Sequence, residues 1–168
     1  ILQLLKKVRN ELGITILMIT HEMNVIRDIC DKVAVIDGGV IVEQGSVLDV
    51  FTEPKETITK NFVRTILNDQ IPPTIKQAIK EKHQQSTDHH IYRILFRGTS
   101  TNVPLLSNTA KRFPVDVNVI HGMITELQGN PFGNLLIEFR GAKSDVDKAV
   151  AYIGEQEVTI KEVDIDAT

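Results

Sequence analysis

The chain has 168 residues, 42% of them hydrophobic and 24% charged, with a formal net charge of −3. That length holds one ordinary domain or two small ones, the composition supports a packed core, and the slight negative balance gives no basic field for phosphate backbones, so no nucleic-acid partner is expected. No apolar run approaches the roughly 18 residues that cross a bilayer, no secretory signal is readable, and the single cysteine, Cys30, allows no internal disulfide.

The chain opens inside a helical pattern and without Met, as expected where the first residue is not a natural N-terminus. Ile1, Leu5, Val8 and Leu12 recur at helical spacing, and Gly13 is a left-handed stop. The seven residues ITILMIT that follow carry no polar alternation, which predicts a strand buried on both faces of a parallel sheet. Thr20 is placed to cap a second helix, EMNVIRDIC, with Met23, Ile26 and Cys30 along one face. His21 therefore falls at a strand-to-helix junction. In open α/β sheets that is where ligands bind, and an imidazole there either donates to a phosphate, positions a water, or only caps backbone groups. Two β-branched runs joined by Asp37-Gly38-Gly39 predict a hairpin. Ser46 and Asp49 have the spacing of a capping box for a short helix ending near Pro54. Ile58, Phe62 and Ile66 predict a further helix with a core-facing stripe.

Residues 69–90 change character. Pro72-Pro73 breaks the preceding helix, a short helix through Ala78 is allowed, and the composition then turns polar, which predicts a solvated linker. His83, His89 and His90 lie in it, without the Cys or carboxylate companions that fix a metal geometry, so no metal site is expected.

From residue 91 the pattern is strand, helix, two strands, helix, strand. IYRILFRG alternates, with Tyr92, Ile94 and Phe96 on its apolar side. A helix follows, begun by the capping residues of TNVP, with Pro104 in its first turn and Val103, Leu106, Ala110 and Phe113 as its stripe. VDVNVIHGMITELQG is a long strand with Gly122 as a bulge or bend, and NPFG is the turn into NLLIEFRG. Ser144 and Asp147 form a capping box for a helix whose Val146, Ala149, Val150 and Ile153 face a core, and EVTIKEV closes the pattern. The βαββαβ order predicts a ferredoxin-like antiparallel sheet with both helices on one face. Leu95, Ile120 and Ile124 leave the other face partly apolar, and a homodimer through the sheet is the expected cover. No nucleophile, base and orienting group can be assembled from residues 91–168.

Residues 1–68 resemble the last third of the nucleotide-binding subunit of an ABC transporter: the THEM-type junction, the hairpin from Asp31 to Gly39 and the G-S-x-x-D-V-F helix start occur in order. The resemblance implies a truncated α/β segment in which His21 is the switch histidine, contacting the γ-phosphate of ATP and the attacking water. ATP and Mg belong to the complete ATPase. Nothing here fits G-x-x-x-x-G-K-[ST], and the signature sequence and metal-binding acidic strand are missing too, so this chain by itself is expected to bind no cofactor and to be inactive. An ATPase segment followed by VNVIHGMITELQGNPFGNLLIEFRG is similar to the methionine-importer ATPases with a C-terminal NIL domain, whose Asn-Ile-Leu-like run is matched by Asn118-Val119-Ile120. That resemblance implies a subunit held at the cytoplasmic face of the membrane beside a transmembrane permease. It also implies a regulatory domain over residues 91–168 that binds L-methionine at a homodimer interface and inhibits transport allosterically. Asn118 would meet the amino acid's polar groups while Ile120 and Met123 line a thioether pocket. The alternative is a dimerisation domain that binds nothing.

Overall fold

The computed structural model describes residues 1–67, 70–98 and 103–165. Two compact units divide the chain, Ile1–Leu67 and Asn68–Thr168.

In the first unit α1 (Leu2–Leu12) ends at Gly13, whose φ of 61° is the left-handed stop its sequence predicts. Residues 14–20, read as a buried strand, form none: Leu17 and Ile19 are 91% and 94% exposed. A strand buried on both faces needs a ladder on each side, and the described residues of this unit offer no sheet beyond one hairpin. Thr20 does not cap α2 (Met23–Ile29). Its Oγ1 accepts from the Glu22 N–H at 3.0 Å and closes the turn ahead of the helix instead. Arg9 ties the two helices' ends together, donating to the Ile29 carbonyl at 3.1 Å and to Asp31 Oδ2 at 2.8 Å.

The hairpin forms as predicted, β1 (Lys32–Asp37) against β2 (Val40–Ser46), with Gly38 and Gly39 at φ 55° and 83°, the two left-handed positions of a type I′ turn. The Ser46 capping box also forms. Its Oγ accepts from the Asp49 N–H at 3.1 Å and donates to Asp49 Oδ2 at 2.6 Å, starting α3 (Val47–Thr52). In α4 (Thr57–Leu67) the buried stripe is Thr59, Val63 and Leu67, one position on from the expected Ile58, Phe62 and Ile66. Glu43 fixes the entry to α4 by accepting from the N–H groups of Lys55 and Glu56, both at 3.0 Å.

The second unit starts with α5 (Pro73–Gln85), a full helix where a solvated linker is read. Pro at its first position suits an N-terminus, and Ile75 and Ile79 at four-residue spacing give it an apolar stripe that docks on the sheet. Then follow β3 (His89–Arg97), α6 (Leu105–Arg112), β4 (Asp116–Leu127), β5 (Asn130–Arg140), α7 (Lys143–Gly154) and β6 (Thr159–Glu162). His89 and His90 open β3 rather than sitting in a linker. All pairs are antiparallel in the order β4-β5-β3-β6, which is the ferredoxin-like arrangement.

One face of this sheet meets α6 and α7: Tyr92, Ile94, Phe96, Ile137 and Phe139 pack with Leu105, Val146, Ala149 and Ile153. The other face, expected to be free, carries a smaller core of its own, in which Ile79 of α5 and Ile165 of the C-terminal tail cover Ile91 and Leu136.

Three local readings are corrected. The β4–β5 turn is Gln128-Gly129, at φ 52° and 79°, with Asn130 Nδ2 donating to the Gln128 carbonyl; Asn-Pro-Phe-Gly belongs to β5, where Pro131 lies past the end of β3 and so interrupts no ladder with it. α7 starts at Lys143 without a side-chain cap, and Asp147, expected to complete a box with Ser144, pairs with Lys143 at 3.2 Å. In α6 the buried positions are Leu105 and Thr109, while Ala110 and Val103 are exposed and Pro104 is the residue before the helix. Thr101 and Asn102, its expected capping residues, lie outside the described residues.

Candidate functional site

Asn118, Ile120 and Met123 all lie on β4, an edge strand. In a regular strand Asn118 and Ile120 share a face and Met123 points the other way. The register changes that. Val119 pairs with Ile137 and His121 with Leu136, so Ile120 is an extra residue, a bulge. Beyond it Met123 pairs with Asn134, which has the parity of Leu136 and Glu138. The bulge therefore brings Met123 to the face that holds Asn118, the face covered in part by α5. It turns Ile124, expected on that same face, to the other side, where it pairs with Gly133 and borders a largely apolar cavity of about 220 Å³ with Phe96, Leu105, Leu106 and Leu135.

Gly122 makes the bulge possible. Its φ is 141°, and an added Cβ would stand 2.2 Å from the Asn134 carbonyl oxygen and 2.8 Å from Leu135 Cα. The strand approaches β5 here more closely than any side chain allows.

Asn118 is exposed and lies directly across from Glu138 on β5, whose side chain is 1% exposed. Glu138 was not singled out by sequence reasoning, yet it organises the polar part of this face. Its Oε1 accepts from His89 Nδ1 at 2.9 Å and has Lys82 Nζ of α5 at 3.9 Å. Its Oε2 accepts from Arg140 Nε and Nη2, at 3.0 and 2.9 Å, and from Asn118 Nδ2 at 3.4 Å. Farther along, Arg93 Nη1 donates to the Asn134 Oδ1 at 2.9 Å, while the buried His121 Nε2 has no hydrogen-bond partner. The readable signal was a lone Glu inside LLIEFR, at the buried parity of a strand apolar on both sides. Arg140 is its neighbour two residues on, but its other partners, at positions 82, 89 and 118, come from three other places in the sequence.

Burial pushes the Glu138 carboxyl up, but the hydrogen bonds from His89 and Arg140, the Lys82 charge and the Asn118 amide outweigh it and hold the pKa below the ordinary value. A depressed carboxyl contributes stability that is complete above its unfolded pKa, about 4.3 for glutamate, and that is lost as pH falls through the folded value. Glu138→Gln is thus expected to destabilise the second unit by about 2 kcal/mol at neutral pH. The gap to wild type should close as pH falls below about 4. Urea titrations followed by tyrosine fluorescence check this, because the chain has no Trp and both its tyrosines, Tyr92 and Tyr152, belong to the second unit.

In the first unit His21 is exposed. No phosphate-cradling loop exists in the sequence, and among the described residues no cluster of three His, Cys, Asp or Glu could hold a metal ion. The residues present do not fit an ATP–Mg group. A concavity of about 470 Å³ in this unit runs along Glu43, Asp49, Glu53 and Glu56 and does not include His21.

A four-stranded antiparallel sheet with two helices on one face, its central buried glutamate bonded to an exposed edge-strand asparagine, defines a ferredoxin-like domain. Residues 90–162 match the NIL domain family. The full 168 residues are 46% identical to the methionine import ATP-binding protein MetN 2 of Bacillus anthracis, covering 48% of that protein. Over 163 residues, 97% of the chain, they are 45% identical to MetN 1 of Bacillus licheniformis, covering 46% of it, and 40% identical to MetN of Burkholderia thailandensis, covering 47%. The chain spans about half the length of these relatives. Among solved structures, the C-terminal domain of an ABC transporter/ATP-binding protein from Enterococcus faecalis is similar, with a TM-score of 0.42 and 22% identity over 51% of this chain and 94% of that one. No described helix is long and apolar enough to cross a membrane.

Proposed function

We propose that the second unit is the regulatory part of a methionine importer's ATP-binding subunit and binds L-methionine on the α5 side of its sheet. Support comes from the relatives' role in methionine import and from one structural observation, the bulge at Ile120, which gathers Asn118, Ile120 and Met123 on one face. The amide offers hydrogen bonds to the amino acid's polar end, and Ile120 with Met123 offers apolar, polarisable contacts to its thioether. Two copies of the chain meet at this domain, and binding restrains transport only if methionine prefers one arrangement of the pair to the other. The whole subunit sits on the cytoplasmic side of the membrane against a permease. There ATP and Mg are held by the parts that lie in the other half of the relatives' length, with His21 directed at the γ-phosphate.

Calorimetric titration with L-methionine tests the reading, with leucine as control. Saturable binding is expected for L-methionine, weakened about tenfold or more in Asn118→Ala. A folded protein that binds no amino acid sinks it. A second reading, dimerisation without a ligand, is favoured by the exposed Val119 and Ile124, 51% and 71% accessible on the same edge strand. A concentration-dependent dimer in sedimentation equilibrium, together with silence in the titration, would establish it.

A further inference from the structure

Glu138 is saturated. Its two oxygens already face Arg140, His89, Lys82 and Asn118, so it has little left to offer a ligand. Its effect is on Asn118. An ionised carboxylate only accepts hydrogen bonds, so the one favourable orientation of the amide turns Nδ2 inward, to 3.4 Å from Glu138 Oε2. The reverse orientation would set the amide oxygen against a buried anion. Asn118 is exposed, so what it presents outward is Oδ1, an acceptor.

Resting on the ligand reading above, we infer that Glu138 is a positioning residue that fixes the Asn118 amide as a hydrogen-bond acceptor for a primary ammonium group, so that the site selects its ligand by the amino and not the carboxylate end. An ammonium brings three donors to Oδ1, whereas a carboxylate brings only acceptors to an acceptor. Arg140 turns its Nε and Nη2 to Glu138 and holds that carboxylate in place.

The test compares L-methionine with 4-(methylthio)butanoate, which keeps the thioether and carboxylate but lacks the amino group, on the full chain by calorimetry. Wild type is expected to bind methionine at least about 30-fold more tightly than the desamino acid. In Glu138→Gln the new amide offers a donor as well as an acceptor, Asn118 can then take either orientation, and that preference should fall to about threefold or less. This ratio is a readout that a mere loss of stability does not move. Asn118→Ala removes the outward acceptor and should weaken methionine about tenfold or more. The inference is overturned if the desamino acid binds wild type as well as methionine does, or if Glu138→Gln keeps the full wild-type preference for methionine. Absence of methionine binding to wild type brings down the ligand reading itself, and this inference with it.

Discussion

Replacing Gly122 with alanine is expected to cost the second unit about 4 kcal/mol, from a backbone φ that disfavours a side chain and from overpacking against β5. The added Cβ meets backbone, the Asn134 carbonyl oxygen at 2.2 Å and Leu135 Cα at 2.8 Å, and backbone in a central strand cannot swing aside as a side chain does. Relief requires β4 to move away from β5, which undoes the ladder around the Ile120 bulge. Native domains are stable by only about 5–15 kcal/mol, so a loss of this size leaves little in reserve. Urea unfolding by tyrosine fluorescence should show a lower midpoint with Gly122→Ala. Gly154, the last residue of α7, has open space around its Cβ position, and Gly154→Ala is the control expected to change the midpoint little. Equal effects from the two substitutions would show that the close approach at Gly122 is not what matters.

Phe139→Ala is the second large effect, expected at about 4 kcal/mol from lost transfer energy and the cavity left behind. Phe139 is fully buried between the sheet and its two helices. Its ring stands 5.7 Å from that of Tyr92 at 68°, an edge-to-face pair that adds about 1 kcal/mol beyond burial. Tyr92 in turn carries Lys143 above its ring, 5.8 Å from the centroid, with Nζ donating to the phenol oxygen at 3.2 Å. The loss should therefore spread to the start of α7. Phe139→Leu keeps most of the apolar contact and should recover most of the stability. Denaturation curves for the three proteins, followed by far-ultraviolet circular dichroism and by tyrosine fluorescence, check the order wild type, Leu, Ala.

What was legible in the sequence was whatever neighbouring residues decide among themselves. Gly38-Gly39 specifies its turn because two adjacent positions need positive φ, and Ser46 with Asp49 specifies a helix start three residues long. The βαββαβ order followed from the alternation of periods two and 3.6 along the chain. Features that depend on distant partners were not legible. Residues 14–20 have the composition of a buried strand, but a strand exists only with neighbours to pair with. α5 reads as a linker after Ala78 because its polar face dominates, and only the waiting patch of Ile91 and Leu136 gives Ile79 a reason to be buried. At the candidate site Asn118 was found by its motif, and its face by strand parity. The bulge that moves Met123 and Ile124 to opposite sides depends on the register with β5. Glu138 escaped notice because, apart from Arg140 two residues on, its partners Lys82, His89 and Asn118 lie far from it along the chain.

The exposed stretch Ile14-Thr15-Ile16-Leu17-Met18-Ile19-Thr20 has a consequence for the chain in solution. It holds seven residues of high strand propensity with no charge, no proline and no glycine. Left without a ladder, it is a template on which an identical segment can stack in register, with each copy supplying the backbone partners the other lacks. Self-association of this chain would then proceed by cross-β growth from its first unit, a route separate from any closed pairing of the second.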